Sequence, residues 1–135
     1  MGNKKVFVIP PASTFSRYVR ARDGMLRLAL YTEGQVPLAA VQIRFAAVLK
    51  PMKNLRVAGV YSDDGNSGKN DFRKLLKLYE GRKVDMIMCR SQEDLPEKMT
   101  LLNEIGVPIY VLEESRIIDN ETAGDSLVDT LRYYA

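Results

Sequence analysis

Apolar residues fall in short runs separated by polar stretches, and the most informative series lies between Leu55 and Ser91. Val57, Ala58, Val60 and Tyr61 form a run ending at Ser62, the pattern of a strand buried on both faces of a parallel sheet. A loop of Asp, Gly, Asn and Ser follows. Phe72, Leu75, Leu76 and Tyr79 then recur at helical spacing, with Asp71 placed to cap the helix and Gly81 placed to end it in a left-handed conformation. Val84, Met86, Ile87 and Met88 supply the next strand. The whole is a βαβ unit. Ligands in such sheets gather at the carboxyl ends of the strands, so chemistry is expected in the loop from Asp63 to Asn70.

The rest of the chain arranges itself around this unit. Lys4 to Ile9 is a short β-like segment stopped by Pro10 and Pro11, and residues 12–23 show no clean period, so residues 1–23 read as an amino-terminal arm. A single domain is expected over residues 24–135. Its first strand is Met25 to Tyr31, with Thr32 to Gly34 turning the chain. A helix then starts near Val36, with Pro37 in its first turn, an apolar face of Leu38, Val41, Phe45, Val48 and Leu49, and Pro51 beyond its end. After Ser91, a helix from about Leu95 to Ile105 is broken by Gly106, and Val107 to Leu112 forms a buried strand. Arg116 to Ile118 suits an edge strand, and a last helix is predicted over residues 121–134. The order βαβαβαββα predicts an α/β fold, a three-layer α/β/α sandwich on a mostly parallel sheet of about four to five strands.

Composition narrows the chemistry. The 135 residues include no histidine and one cysteine, which excludes histidine relays, an intramolecular disulfide and the usual Cys/His zinc sites. No apolar run approaches the roughly 20 residues of a membrane span, so a cytoplasmic protein with no membrane partner is expected. The net charge of +3 divides unevenly: residues 1–60 hold ten Lys and Arg against two acids, +8, and residues 61–135 hold ten against fifteen, −5. Basic sequence of this kind can meet phosphates or serve as a solvated surface.

Single motifs carry little. Gly68 and Lys69 precede a helix, but a phosphate-binding P-loop needs a glycine where Asp63 stands and a Ser or Thr where Asn70 stands. Asp63 and Asp64 at a strand end have the oxygen ligands that Mg²⁺ takes, yet paired loop carboxylates also serve as caps. Cys89 sits in an apolar strand, the setting of a buried inert thiol. Ser62, Ser67 and Ser91 lie near strand ends and, without histidine, would need Arg or Lys to be activated.

Taken together, VAGVYSDDGNSGKNDFRKLL followed by GRKVDMIMCRS resembles the catalytic domain of the serine recombinases, the resolvase and invertase family. In that family a strand ending in Tyr leads to an acidic-x-Gly-x-Ser-Gly loop, a helix with Phe and Leu, and a second strand ending in a basic residue and Ser. Tyr61, Asp64, Gly65, Ser67, Gly68, Phe72, Leu75, Gly81, Lys83, Asp85 and Ser91 fall into those places. The likeness continues through GVPIYVLE, Gly106 to Glu113, and through Ala123 and Gly124. KKVFVIPP resembles the leader of the large recombinases of mobile elements.

The departures fall on the family's active site. Its first strand ends Tyr-x-Arg-x-Ser, the Ser attacking a DNA phosphate that the Arg helps to bind, and two Gln follow. This chain has Tyr31, Thr32, Glu33, Gly34 and Gln35, with Gln42 correctly spaced, and lacks the segment with Arg and Ser. Where the family places an Arg clamp after the second strand, Glu93, Asp94, Leu95, Pro96 and Glu97 stand. Phosphoryl transfer needs a nucleophile and cations around a phosphate that gains charge, each donor contributing about 3 kcal/mol. The resemblance thus implies a degenerate, truncated resolvase-like domain associated with DNA recombination, with no strand-exchange activity, no catalytic residues, no metal and no cofactor.

Tyr31, Gln35, Gln42, Asp64, Ser67 and Gly68 remain from the family site, each open to a purely structural role. Implied partners are DNA, bound weakly or no longer, and a second copy or an intact recombinase. Dimerisation would use the last helix, through Leu127, Val128, Leu131, Tyr133 and Tyr134. A DNA-binding or protein-partner module, a small-molecule or Mg²⁺ site at Asp63 and Asp64, and a decayed remnant are the alternatives.

Overall fold

The computed structural model describes residues 9–34, 36–63 and 71–119. A five-stranded sheet runs through it in the order β2-β1-β3-β4-β5. Strands β1 (Leu26–Glu33), β2 (Leu55–Asp63), β3 (Met86–Cys89) and β4 (Ile109–Val111) are parallel, and β5 (Arg116–Ile118) closes the far edge antiparallel to β4. Helices α1 (Ser16–Ala21), α2 (Leu38–Leu49), α3 (Asp71–Glu80) and α4 (Pro96–Ile105) cover its two faces.

Alternation along the strands sorts the core into two layers. Leu26, Leu28 and Leu30 of β1 point with Met86, Met88 and Tyr110 into the layer closed by Val41, Phe45 and Val48 of α2. Ala29 and Tyr31 point the other way with Ile87 and Cys89, against Phe72 and Leu75 of α3 and Leu102 of α4. The chain steps outward from β1 to β2, then crosses back to β3 on the far side of β1. A constant crossover hand therefore sets α2 on one face and α3 and α4 on the other. The reversal puts the sheet's switch point, where ligands of such folds gather, at the carboxyl ends of β1 and β3.

Four local expectations are corrected. Strand β1 runs on through Thr32 and Glu33, because these residues pair with Ser62 and Asp63 instead of turning. Strand β2 is not buried on both faces: it is the outer strand, Val57 is 57% exposed and Val60 37%, and the register slips between Leu28 and Ala29, where Ala58 bulges out. A bulge on an outer strand bends it away from further pairing. Residues 12–23, read as part of an arm without regular structure, contain a short 3₁₀ turn and α1, and Phe15 between them is buried, its ring 5.3 Å from that of Tyr110. Six residues of helix are too few to show a period in sequence.

The fourth correction concerns the end of α3, where the left-handed residue is Arg82 (φ 60°), not Gly81. Lys83 N–H bonds Leu78 C=O at 2.8 Å and Arg82 N–H bonds Tyr79 C=O at 3.1 Å, a Schellman closure with arginine where glycine is favoured. A side chain in this conformation costs about 1 kcal/mol. Arg82→Gly is therefore expected to raise the melting temperature by about 3 °C in a calorimetric scan.

The β-like segment of residues 4–9 lies outside the described residues except for Ile9, which is not in a strand. The last helix, with its proposed dimer patch, lies outside them entirely. Among the described residues no helix is long and apolar enough to cross a membrane.

Candidate functional site at the carboxyl edge of the sheet

Tyr31 reaches the switch point from β1 with its ring fully buried against Phe72, the centroids 5.3 Å apart. Its hydroxyl lies 2.6 Å from Asp63 Oδ2 and 3.0 Å from Glu33 Oε2. One hydroxyl proton serves two carboxylates, and the shorter contact marks Asp63 as the main acceptor. Burial, then the bonds to Asp63 and Glu33 and their charges, push the Tyr31 phenol far above its ordinary range, so it stays protonated.

Asp63 holds the site together. Its carboxylate accepts from Asp71 N–H at 2.8 Å and Phe72 N–H at 3.0 Å, so it caps α3 from the end of β2. Asp71, expected as the cap, is the first helical residue and accepts from Ser62 N–H at 3.2 Å. Burial alone would raise the Asp63 carboxyl. The Tyr31 hydroxyl, the two backbone N–H groups and the charge of Lys98 outweigh it and hold the group below its usual value.

The two described cations nearby, Lys98 and Arg90, are paired. Lys98 of α4 forms an ion pair with Glu33 and lies 5.2 Å from the Phe72 ring centroid and 5.9 Å from that of Tyr31. Arg90, just after β3, grips Asp94 through Nε at 2.8 Å and Nη2 at 2.5 Å. Carboxylate hydrogen bonding raises the Arg90 pKa further, so its charge is permanent and already neutralised. Ser91 is buried, and its hydroxyl accepts from Glu93 N–H at 3.3 Å, capping the turn Gln92–Asp94. Burial pushes the Cys89 thiol up to about 12, which keeps it an unreactive core group.

Of the candidate site residues named in the sequence, Tyr31 and Asp63 belong to this cluster. Gln42 lies on the exposed side of α2, across the sheet from Tyr31. Gln35, Asp64, Ser67 and Gly68 lie outside the described residues. Glu33 and Lys98 were not foreseen: they are 65 residues apart and no local pattern joins them. The spacing of Arg90 and Asp94 was visible, but only the strand end and the turn at Ser91 make it a pair. Among the described residues no group of three or more metal-ligating side chains converges. Asp63, the described half of the candidate Mg²⁺ pair, spends its oxygens on α3 and Tyr31.

Chemically the cluster is a lock. It pins β1, β2, α3 and α4 at one corner, and it offers a phosphate no free cation among Lys98 and Arg90. Comparison with known proteins found no matching family model and no matching curated protein.

Proposed function

We propose that this chain is a resolvase-like domain associated with DNA recombination that does not itself exchange strands. The family rests on the sequence resemblance, and the observation that most supports the loss of strand exchange is the Tyr31, Glu33, Asp63 and Lys98 cluster. At the end of the first strand, where phosphoryl transfer would need a nucleophile beside unpaired cations, Glu33 takes the Lys98 ammonium and the Tyr31 hydroxyl is bound to carboxylates. Thr32, the hydroxyl residue next in line, is buried. A phosphate gaining charge in the transition state would meet Glu33, Asp63 and the Asp94-paired Arg90, and would be repelled where stabilisation is required. Any contact of this domain with DNA is on this reading one of binding.

The test is incubation of the purified chain with supercoiled plasmid, followed by a denaturing gel. No covalent protein–DNA adduct and no nicking are expected. An adduct mapped to Ser62, Ser67 or Thr32 would overturn the reading.

A further inference from the structure

We infer that the amino-terminal edge of the sheet, opposite the Tyr31 cluster, is a binding surface for the phosphate backbone of duplex DNA. The choice of DNA rests on the recombination role proposed above; the surface itself stands on its own geometry.

Parallel register sets Arg27 of β1 directly beside Arg56 of β2, and both are exposed. Neighbouring strands lie about 4.8 Å apart, so the two charges repel across the ladder and cost stability. Among the described residues no carboxylate forms an ion pair with either guanidinium. The Arg27 guanidinium lies 3.3 Å from the Arg82 carbonyl oxygen, and that of Arg56 lies 2.7 Å from the Lys53 and 3.0 Å from the Leu55 carbonyl oxygens. These acceptors are neutral: they aim the guanidiniums and leave their charge intact.

The buried carboxylate of this edge, Asp85, is spent on the Arg27 backbone N–H at 2.8 Å and on Arg22 Nε at 2.6 Å. Lys53, Arg82 and Lys83 are exposed in the turns on either side. Against this row, among the described residues, stand three exposed carboxylates, Asp23, Glu80 and Glu104, and the half-buried Asp119, which pairs with Arg17.

The carboxyl edge has the opposite sign, since Glu33, Asp63, Glu93, Glu97, Glu113 and Glu114 gather there after the strands. A polyanion is thus repelled from one end of the sheet and drawn to the other. Arg27, Arg56, Lys53, Arg82 and Lys83 form a row of exposed cations across the amino ends of β1, β2 and β3, which suits the successive phosphates of a polymer better than a single small anion.

The test is fluorescence anisotropy of a labelled 20-base-pair duplex titrated with the full chain between 50 and 200 mM salt. The chain is expected to bind with affinity falling steeply with salt. Arg27→Gln/Arg56→Gln is expected to weaken binding at least tenfold at about 100 mM salt and to reduce the slope of log K against log salt by about 2. Lys53→Gln/Lys83→Gln, at two exposed positions, is expected to do the same. Arg116→Gln, at the carboxyl edge, is expected to change neither quantity. Circular dichroism melts verify that each variant is folded. Absence of salt-dependent binding at 50 mM salt, or binding unaltered in both double variants, would overturn the inference. Either outcome leaves the adduct experiment, and the reading it tests, unaffected.

Discussion

Phe15→Ala is expected to destabilise the domain by about 3–4 kcal/mol and to lower its melting temperature by roughly 10–14 °C. The reason is its place in the core: it is 1% exposed, packs its ring on Tyr110 at 5.3 Å, and belongs to the layer formed by α2, β1 and β3. Removing the ring leaves a cavity that Tyr110 cannot close, since Tyr110 is itself held in a central strand. If residues before Asp23 were a detachable arm, the same substitution would cost a few tenths of a kcal/mol. Chemical denaturation separates the two outcomes, and a shift under 1 kcal/mol would return Phe15 to an arm. Phe15→Leu, which keeps most of the volume, is expected to recover more than half of the loss.

Phe15 also marks where local pattern stops being informative. Elements were legible where a period repeated or a boundary residue stood out: α2 and α3 through apolar spacing, α4 through Pro96 at its start and a left-handed Gly106 (φ 89°) at its end, and β5 through its isolation between polar turns. The class of fold followed from their order. Strand order did not, because the run of Val57 to Tyr61 looks alike whether the strand is central or outermost. Only the crossover from β2 back past β1 puts it at the edge.

The candidate site was less legible for a related reason. Its bonds join β1 to β2, β2 to α3 and β1 to α4, over separations of 32, 8 and 65 residues, and side-chain identity gives no warning of them. The charge of the two sheet ends was hidden as well: Glu33 and Asp63 at one end and Arg82 and Lys83 at the other come from both halves of the chain, because a parallel sheet collects post-strand loops on one edge and pre-strand turns on the other.

The corner cluster makes the second large prediction. Asp63→Ala removes a helix cap and the main acceptor of a buried hydroxyl at once, and is expected to cost about 2–3 kcal/mol, or roughly 7–10 °C in melting temperature. Asp63→Asn keeps one acceptor oxygen for α3 and loses the charge that Tyr31 and Lys98 favour, so about 1 kcal/mol is expected. The two variants differ from the native chain in pH dependence as well as in size.

The Asp63 carboxyl is held below its usual value in the folded chain, so the folded state keeps it ionised where the unfolded chain, at about 3.9, begins to take up a proton. Its contribution is therefore complete well above pH 4 and is lost as pH falls through the lowered folded value. The gap in stability between the native chain and Asp63→Asn is expected to be constant from pH 7 to pH 5 and to narrow at about pH 3. A gap that persisted unchanged at that pH would mean that the charge of Asp63 contributes nothing, and that the oxygen geometry alone caps α3 and holds Tyr31 in place.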